Sequence, residues 1–460
     1  MPSAPAPPAA GPDDRREAPP GGPGRRGGRF AALLDRLSIH GTGRRLVVGT
    51  GWSAAGKVAA HGLSVVTWVV LARLLGSAGL GEVAMVQSVT AAFGVVAGLG
   101  LGLTTTRAIA ELRASDPDAA AGVRRACTGV ALASGTLVCL AAFAAATPLA
   151  RGLLANAELA TPLRFAAVLT LIGAVNGVQV GVLSGFEAFS VVARLSLVGA
   201  LATLALAGAG ARLAGVPGAV AGFVGAGVLS VVLHGAAAAR ESRRHGLPTR
   251  PAGRFDARRW LWGLALPGLL SGSLVAPVLW LGSSILARSA GGYAELGVYA
   301  AAGQWRTALL LIPSAIGAAG LPVLASLHGA GDRRGYRRVF LSTLAGSVAI
   351  AAGCAVVLSA ASPLLALLYG RDFRGSAPVF AVIALAGVLA AGNDMIGNVI
   401  ATSRSMWVGL AMNAAWGAAF LLGALWLAPR GGALGLATAL ALSYAAHSVW
   451  QGAYAWRRLR

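Results

Sequence analysis

The sequence predicts an all-α integral membrane protein with about twelve transmembrane helices, six on each side of a short basic break. Three observations support this prediction: 56% of the 460 residues are hydrophobic, only 12% are charged, and the arginines concentrate between long apolar stretches. Soluble domains carry about 25% charged residues, and about twenty apolar residues span the hydrocarbon core of a bilayer. We therefore expect the chain to cross a membrane many times.

Two basic, proline- and glycine-containing segments divide the chain. The first 45 residues offer little apolar surface to bury, which predicts a disordered cytoplasmic tail. No apolar core follows the arginines of this tail before Leu46, so the tail lacks the pattern of a signal peptide. The second segment, Arg240–Arg259, holds seven arginines, two prolines and two glycines. The predicted organisation is a tail 1–45, a six-helix lobe 46–239, a basic cytoplasmic linker 240–260 and a second six-helix lobe 261–460.

Each predicted lobe contains six apolar segments long enough to cross a bilayer. In the first lobe they are Val47–Leu71, Leu80–Thr106, Val123–Thr147, Leu163–Leu183, Val191–Leu213 and Val216–Ala238. In the second they are Leu261–Ala287, Gly297–Leu324, Phe340–Ala361, Pro378–Thr402, Met406–Ala428 and Gly432–Trp456. The turns between them are short, so we expect no domain outside the membrane.

The placement of arginine and lysine predicts the orientation. With the N-terminus inside, 28 of the 38 basic residues fall in cytoplasmic segments and 8 in outer loops, while Lys57 and Arg306 fall within spans. Cytoplasmic loops are enriched in arginine and lysine, so we expect both termini and the linker to be cytoplasmic. Membrane orientation also explains the net charge of +22 better than nucleic-acid binding does. No nucleic-acid partner is expected.

The first span carries a polar stripe. Spacings of four, four, three and four residues place its members on one helix face, namely Ser53, Lys57, His61, Ser64 and Trp68. Lys57 lies about 15 Å along the helix from Val47, so its ammonium group reaches the membrane surface with difficulty. A charge at the bilayer centre costs at least about 2.5–3.5 kcal/mol. Two interpretations remain open: a cation that faces a wet cavity, or a lysine paired with a neighbouring helix.

Arg306 is the second cation within a span. It shares a helix face with Glu295, Tyr299 and Ala302, but Glu295 lies about 16 Å away and is not expected to neutralise it. A guanidinium group suits bidentate binding of a phosphate. Binding of a substrate phosphate and structural pairing are the two alternatives for Arg306. The neighbouring Gln304 either lines a cavity or bonds between helices.

A third polar stripe on the tenth span contains Asp394, Asn398 and Thr402. Asp394 is the only carboxylate deep within a predicted span. It could pair with a cation, bind a coupling ion, or serve in helix packing. The three cysteines form no disulfide framework, since Cys127 and Cys139 lie about 18 Å apart on one predicted helix.

Enzyme signatures are missing from the sequence. Glycoside hydrolysis needs two carboxylates that flank one bond, and a metal site needs clustered ligands, whereas the six histidines are scattered. The chain contains no phosphate-binding G-x-x-x-x-G-K-[ST] loop. We therefore predict a transporter without a cofactor, with H⁺ or Na⁺ left open as the coupling ion.

Several stretches resemble the oligosaccharide flippases of the multidrug/oligosaccharidyl-lipid/polysaccharide exporter superfamily. Arg73, Gly76 and Gly81 fit that family's pattern at the start of the second helix, and Arg107 and Glu111 fit its end. Gly98 departs from the pattern, because an aspartate is common there. The stretches that carry the resemblance are LARLLGSAGLGEVAMVQS, GLGLGLTTTRAIAEL, LSGFEAFSVVARLSL, QWRTALLLIPSAIGAAGLPVLASLHGAGDRRGYRRVF and LYGRDFRGSAPVFAVIALAG.

The resemblance implies two six-helix bundles that face each other around a central cavity, open alternately to the inside and the outside. It implies a substrate of the undecaprenyl-diphosphate-linked oligosaccharide type, moved across the inner membrane for surface polysaccharide biosynthesis. Arg306 would lie on a cavity-lining helix. Membrane lipids and other polysaccharide-assembly proteins are the further expected partners.

Two rival functions can be compared with a flippase. An ion-coupled drug or small-molecule antiporter of the same fold is the alternative, although it would prefer intramembrane acids to Lys57 and Arg306. A glycan polymerase or ligase would be expected to carry a large outer loop, which the short turns exclude.

Overall fold

A computed structural model of the protein describes residues 42–248, 274–402 and 406–459. Its large compact unit comprises Gly49–Arg460. The described residues form helices and short turns, with no β-strand among them. The predicted all-α class is therefore confirmed.

Ten α-helices occupy the described ranges. In the N-terminal half, up to residue 248, they are α1 Thr42–Gly98, α2 Leu101–Leu112, α3 Pro117–Pro148, α4 Ala160–Gly185 and α5 Phe189–Arg244. In the C-terminal half, from residue 274, they are α6 Val275–Ala287, α7 Gly292–Gly329, α8 Arg333–Tyr369, α9 Ala377–Thr402 and α10 Met406–Leu459. Within the described ranges, eight segments are long and apolar enough to cross a membrane: Val58–Gly98, Pro117–Leu153, Ala157–Gly185, Phe189–Arg244, Gly292–Gly329, Arg333–Tyr369, Ala377–Ile400 and Trp407–Arg457.

The longest helices are interrupted by residues with non-helical backbone angles. α5 breaks at Ala214 and Gly215, and its two arms then lie against each other, because a Cβ on Gly210 would overlap the carbonyl oxygen of Gly218. α5 is therefore a helical hairpin, and its arms correspond to two separately predicted spans. α10 breaks in the same way at Gly432, and α1 breaks at Gly76, where φ is 71°.

The predicted second span, Leu80–Thr106, is wrong as a single helix. α1 ends at Gly98, and Leu99 and Gly100 both have positive φ before α2 begins. Three glycines, at 98, 100 and 102, weaken the helix at this point because each costs about 1 kcal/mol relative to alanine. The apolar stretch therefore contains a break that hydropathy alone does not reveal.

The helices pack most extensively within two groups, α2 to α5 and α6 to α10. One hydrophobic core nevertheless includes side chains from both halves of the chain. Leu71, Leu80 and Val83 of α1 belong to the same buried cluster as Leu296 of α7 and Tyr369 of α8. The two halves are thus joined by apolar packing along α1 and α7.

The predicted tail and linker fall largely outside the described residues, which begin at Thr42 and omit 249–273. The first residues of the predicted linker are helical, since α5 continues to Arg244. Glu241 pairs with Arg244 at 2.9 Å on the last turns of this helix. The three cysteines are free thiols.

Candidate binding cavity

Arg306 lies within α7, partly buried, with its aliphatic stem against Gly387 of α9. Its Nε is buried and has no hydrogen-bond partner. Asp394 and Tyr299 lie close enough to Arg306 for electrostatic interaction, yet none of the ion pairs found among the described residues includes Arg306. A partly buried guanidinium group with an unused N–H retains the capacity to bind an anion.

A cavity of about 380 Å³ lies between α6, α9 and α10, and its lining includes Asp394, the carboxylate within electrostatic range of Arg306. This size falls within the range of about 300–1,000 Å³ that is usual for small-molecule sites. Its wall mixes polar and aromatic side chains with small apolar ones. The lining residues are Val275, Asn393, Asp394, Gly397, Ile400, Gly409, Asn413, Trp416, Tyr444, His447 and Gln451.

Hydrogen bonds hold part of this wall in place. The Asn393 amide donates to the Tyr444 carbonyl at 3.1 Å and accepts from the Ser448 hydroxyl at 2.8 Å. The indole N–H of Trp450 donates to Nδ1 of His447 at 2.9 Å, which leaves Nε2 of a neutral His447 as the protonated nitrogen. Asn393 and His447 are thereby oriented before any ligand binds.

An aromatic stack forms the other part of the wall. The ring of Trp416 stacks on Phe420, with centroids 6.1 Å apart, and on Tyr444, with centroids 5.4 Å apart. Phe420 and Trp416 are only 0% and 3% exposed, whereas Tyr444 is partly exposed and lines the cavity. Trp416 also lines the cavity but is almost fully buried, so Tyr444 offers a bound molecule the larger accessible surface of this stack.

The two halves of the protein meet close to Arg306. Nε2 of His61, on α1, lies 3.2 Å from the backbone carbonyl oxygen of Gln304, on α7. The tautomer with a proton on Nε2 donates a hydrogen bond there. His61 and Ser64 are partly buried. Lys57 and Ser53 belong to α1, but their side chains lie outside the described part of the structure.

The other predicted site residues have separate contacts. Asp394 is exposed on the cavity wall, where a ligand in the cavity can contact its carboxylate. The Asn398 amide donates to the Gly317 carbonyl at 3.3 Å, which joins α9 to α7. Glu295 accepts a hydrogen bond from the backbone N–H of Ala433 at 2.7 Å, at the break in α10. Glu295 is thus engaged away from Arg306.

Sequence reasoning missed most of the cavity wall, including Asn393, Trp416, Tyr444 and His447. One signal was available, because Tyr444, His447 and Gln451 follow at spacings of three and four and so share a face of the last helix. Nothing in the sequence shows that this face meets α9 and α6 around a cavity.

One end of the interface between the halves is closed by hydrogen bonds. Arg73 donates to the Leu368 carbonyl at 2.8 Å, and Arg288 donates to the Gly152 carbonyl at 2.6 Å. The Tyr293 hydroxyl donates to the Leu154 carbonyl at 2.7 Å. We call the end that carries these contacts, Arg73–Leu368, Arg288–Gly152 and Tyr293–Leu154, the sealed end.

The fold is that of the transporters of the multidrug/oligosaccharidyl-lipid/polysaccharide exporter superfamily. A solved inward-facing multidrug-resistance MATE transporter of this superfamily superposes with a TM-score of 0.72, over 87% of this chain and 94% of that one, at 16% sequence identity. The sequence matches the family described as "Polysaccharide biosynthesis protein" over residues 46–328, which is more than half of the chain. The chain therefore belongs to that family, as its motifs predicted.

Individual relatives cover different parts of the chain. The EPS I polysaccharide export inner membrane protein EpsE of Ralstonia solanacearum is 32% identical over 183 residues, which span 39% of this chain and only 41% of that protein. The Lipid III flippase of Escherichia coli is 25% identical over 414 residues, which span 88% of this chain and 98% of that protein. The names of these relatives describe export and flipping and not catalysis, in agreement with the predicted class.

Proposed function

We propose that this protein is a flippase that moves a lipid-linked oligosaccharide with an anionic diphosphate across the inner membrane, for surface polysaccharide biosynthesis. The observation that carries the proposal is Arg306, whose buried Nε has no hydrogen-bond partner and which lies within electrostatic range of Asp394 on the cavity wall. A buried N–H donor without a partner costs about 1–3 kcal/mol. A diphosphate would supply the acceptors, and its oxygens match the planar N–H groups of a guanidinium.

The two relatives support this substrate class. One is named for polysaccharide export at an inner membrane, and the other is named as a flippase and aligns along nearly its whole length. The first name describes export of a polysaccharide, and the second describes flipping of a lipid. A shared substrate type would explain why this chain keeps a cation where an antiporter of cationic drugs would favour an acid.

The proposal includes twelve crossings in two six-helix bundles. The breaks at Gly76, Gly215 and Gly432 support it, because each divides a long helix into two arms near a boundary between predicted spans. The arginine distribution then puts the sealed end at the outer face and both termini in the cytoplasm. A conformation that is closed at the outer face and open at the inner face would be the one that receives the substrate.

Transport would require the sealed end to open and the opposite, cytoplasmic end to close. The head group would enter from the cytoplasmic leaflet while the lipid tail stays in the bilayer. We include Lys57, which lies one helical turn before His61, as a second cation that attracts the anionic head group. Opening the outer face would require breaking the contacts of Arg73, Arg288 and Tyr293. Closing the inner face would form new contacts at that face in their place.

The energy source in the proposal is the membrane potential or a gradient of H⁺ or Na⁺. Moving one elementary charge across the membrane is worth about 2.3 kcal/mol per 100 mV. Asp394 is the candidate group for a coupling ion, because its carboxylate is exposed on the cavity wall. The same carboxylate favours the alternative function, an ion-coupled antiporter of small cationic molecules. Arg306 disfavours this alternative, because its positive charge repels a cationic substrate.

A reconstituted flipping assay tests this function. Vesicles containing the purified protein are loaded with a fluorescent undecaprenyl-diphosphate oligosaccharide, and a membrane-impermeant reductant then bleaches the accessible leaflet. We expect bleaching to proceed beyond the fraction that protein-free vesicles show. A phosphocholine lipid with the same fluorophore is the control and should not be moved. No movement of the diphosphate lipid, or equal movement of both lipids, would contradict the proposal.

A further inference from the structure

We propose that the cavity between α6, α9 and α10 binds a sugar ring of the substrate head group, with Tyr444 as its aromatic platform. This inference rests on the proposed function, because it assigns the sugar next to the diphosphate to a particular site. It adds a specificity element in the C-terminal half, separate from the charge of Arg306.

The combination of an aromatic surface and polar groups in the wall favours a sugar ring over other small molecules. One face of a pyranose ring carries C–H groups and is apolar, while its edge carries hydroxyl groups that both donate and accept hydrogen bonds. Tyr444 presents the accessible ring of the Phe420–Trp416–Tyr444 stack to the cavity. An aromatic ring offers a flat apolar surface for the C–H face at a small cost in side-chain entropy.

The polar part of the wall matches the hydroxyl edge. Asp394 is exposed there as an acceptor, and Asn393 and His447 are already oriented by hydrogen bonds. The amide oxygen of Gln451, a residue only 5% exposed, is buried at this wall without a hydrogen-bond partner. A buried unpaired acceptor costs about 1–3 kcal/mol, and a small rearrangement toward a sugar hydroxyl would relieve that cost.

The position of the cavity relative to Arg306 fits a sugar joined to a diphosphate. The stem of Arg306 contacts Gly387, and Asp394 lies seven residues further along the same face of α9. Seven residues correspond to about 10 Å along the helix axis between Gly387 and Asp394, and the charge of Arg306 lies within electrostatic range of Asp394. A diphosphate and its first sugar ring together cover a length of this order. A diphosphate at Arg306 would therefore hold its attached ring against Tyr444.

Binding of two short-tailed probes to the full-length protein in nanodiscs tests this inference. One probe is a prenyl diphosphate with a single N-acetylglucosamine, and the other is the same prenyl diphosphate without the sugar. Tyr444→Leu removes the ring but keeps the backbone carbonyl that Asn393 binds. We expect it to weaken binding of the sugar probe about tenfold, equivalent to about 1.4 kcal/mol, and to leave the sugar-free probe unchanged.

Matched variants separate the sugar contact from a loss of structure. Tyr444→Phe keeps the ring and should bind both probes nearly as the wild type does. Trp426→Leu removes an aromatic ring that is 62% exposed and outside the cavity, and it should also bind both normally. Arg306→Gln should weaken both probes. Equal weakening of both probes by Tyr444→Leu would overturn the sugar site.

Three further outcomes would also decide the question. If the wild type binds both probes equally through Arg306, the sugar site is refuted while the proposed flippase function stands. If the wild type binds neither probe, the diphosphate function fails and the sugar site fails with it. If Tyr444→Leu binds the sugar probe normally and Asp394→Asn abolishes ²²Na⁺ binding, the cavity is a cation site and the inference is wrong.

Discussion

Gly81 of α1 and Gly297 of α7 bring the backbones of the two halves into direct contact. A Cβ on Gly81 would overlap the carbonyl oxygen of Tyr293, and a Cβ on Gly297 would overlap the carbonyl oxygen of Ser77. Backbone atoms cannot rotate away as side chains can, so even one methyl group would force the helices apart. These two glycines therefore set the approach of α1 and α7 near the sealed end.

Gly81→Ala is expected to open the sealed end and to reduce transport. Overpacking of a tight contact typically costs about 1–3 kcal/mol, enough to shift a two-state equilibrium about fivefold or more. Spin labels at Ala78 and Arg374, both exposed on opposite halves, would report a longer distance in a background without native cysteines. Gly62→Ala, also on α1 but facing open space, should leave the distance unchanged. An unchanged distance in Gly81→Ala would disprove this role.

Tyr293→Phe is expected to weaken the sealed end more mildly. The change removes the hydrogen bond to the Leu154 carbonyl and keeps the packing of the ring. A neutral hydrogen bond contributes about 0.5–1.5 kcal/mol, so the open population at the same two labels should rise about two- to tenfold. Arg288→Ala, which loses its bond to the Gly152 carbonyl, should act in the same direction. A more tightly closed end in either variant would contradict the assignment.

Glu295→Ala is expected to lower stability without changing anion binding. Its carboxylate accepts the Ala433 N–H at the break in α10, and removal of such a cap costs about 0.5–2 kcal/mol. The thermal midpoint of the purified protein should fall, while affinity for the sugar-free diphosphate probe should match that of the wild type. Altered diphosphate affinity would instead make Glu295 an electrostatic partner of Arg306.

Reporter fusions at positions 250 and 371 are expected to lie on opposite sides of the membrane. Residue 250 falls in the segment with seven arginines, and Arg371 lies in a short turn that the positive-inside rule assigns to the outer face. An alkaline phosphatase fusion should be active at 371 and inactive at 250, and a cytoplasmic reporter should show the reverse. The same side for both positions would refute the twelve-crossing topology.

The sequence was sufficient for the class of fold and for many helix positions, because these depend on local hydropathy. The predicted spans Val191–Leu213 and Val216–Ala238 match the two arms of α5 around Gly215, and Pro378–Thr402 matches α9. The break at Leu99 and Gly100 was not predicted, because glycine-rich apolar stretches can be helical in membranes.

The cavity wall and the sealed end were beyond sequence reasoning for a different reason. Asn393, Trp416 and Tyr444 belong to three segments separated along the chain, and their meeting depends on how α9 and the two arms of α10 pack. The contact between Arg73 and the Leu368 carbonyl joins residues 295 positions apart through a backbone oxygen, which has no signature in the residue type. Arg306 and Asp394 could be singled out because charges within spans are costly.

A charge series at Arg306 in the flipping assay tests most directly whether this cation binds the diphosphate. Arg306→Gln and Arg306→Glu should lower the flipping rate at least tenfold while membrane insertion stays normal. Arg306→Lys should retain part of the activity, because it keeps the charge and loses the bidentate geometry. Arg212→Gln, which removes an exposed arginine far along the sequence from the cavity wall, should flip at the wild-type rate. Wild-type flipping by Arg306→Gln would show that the substrate does not depend on this cation.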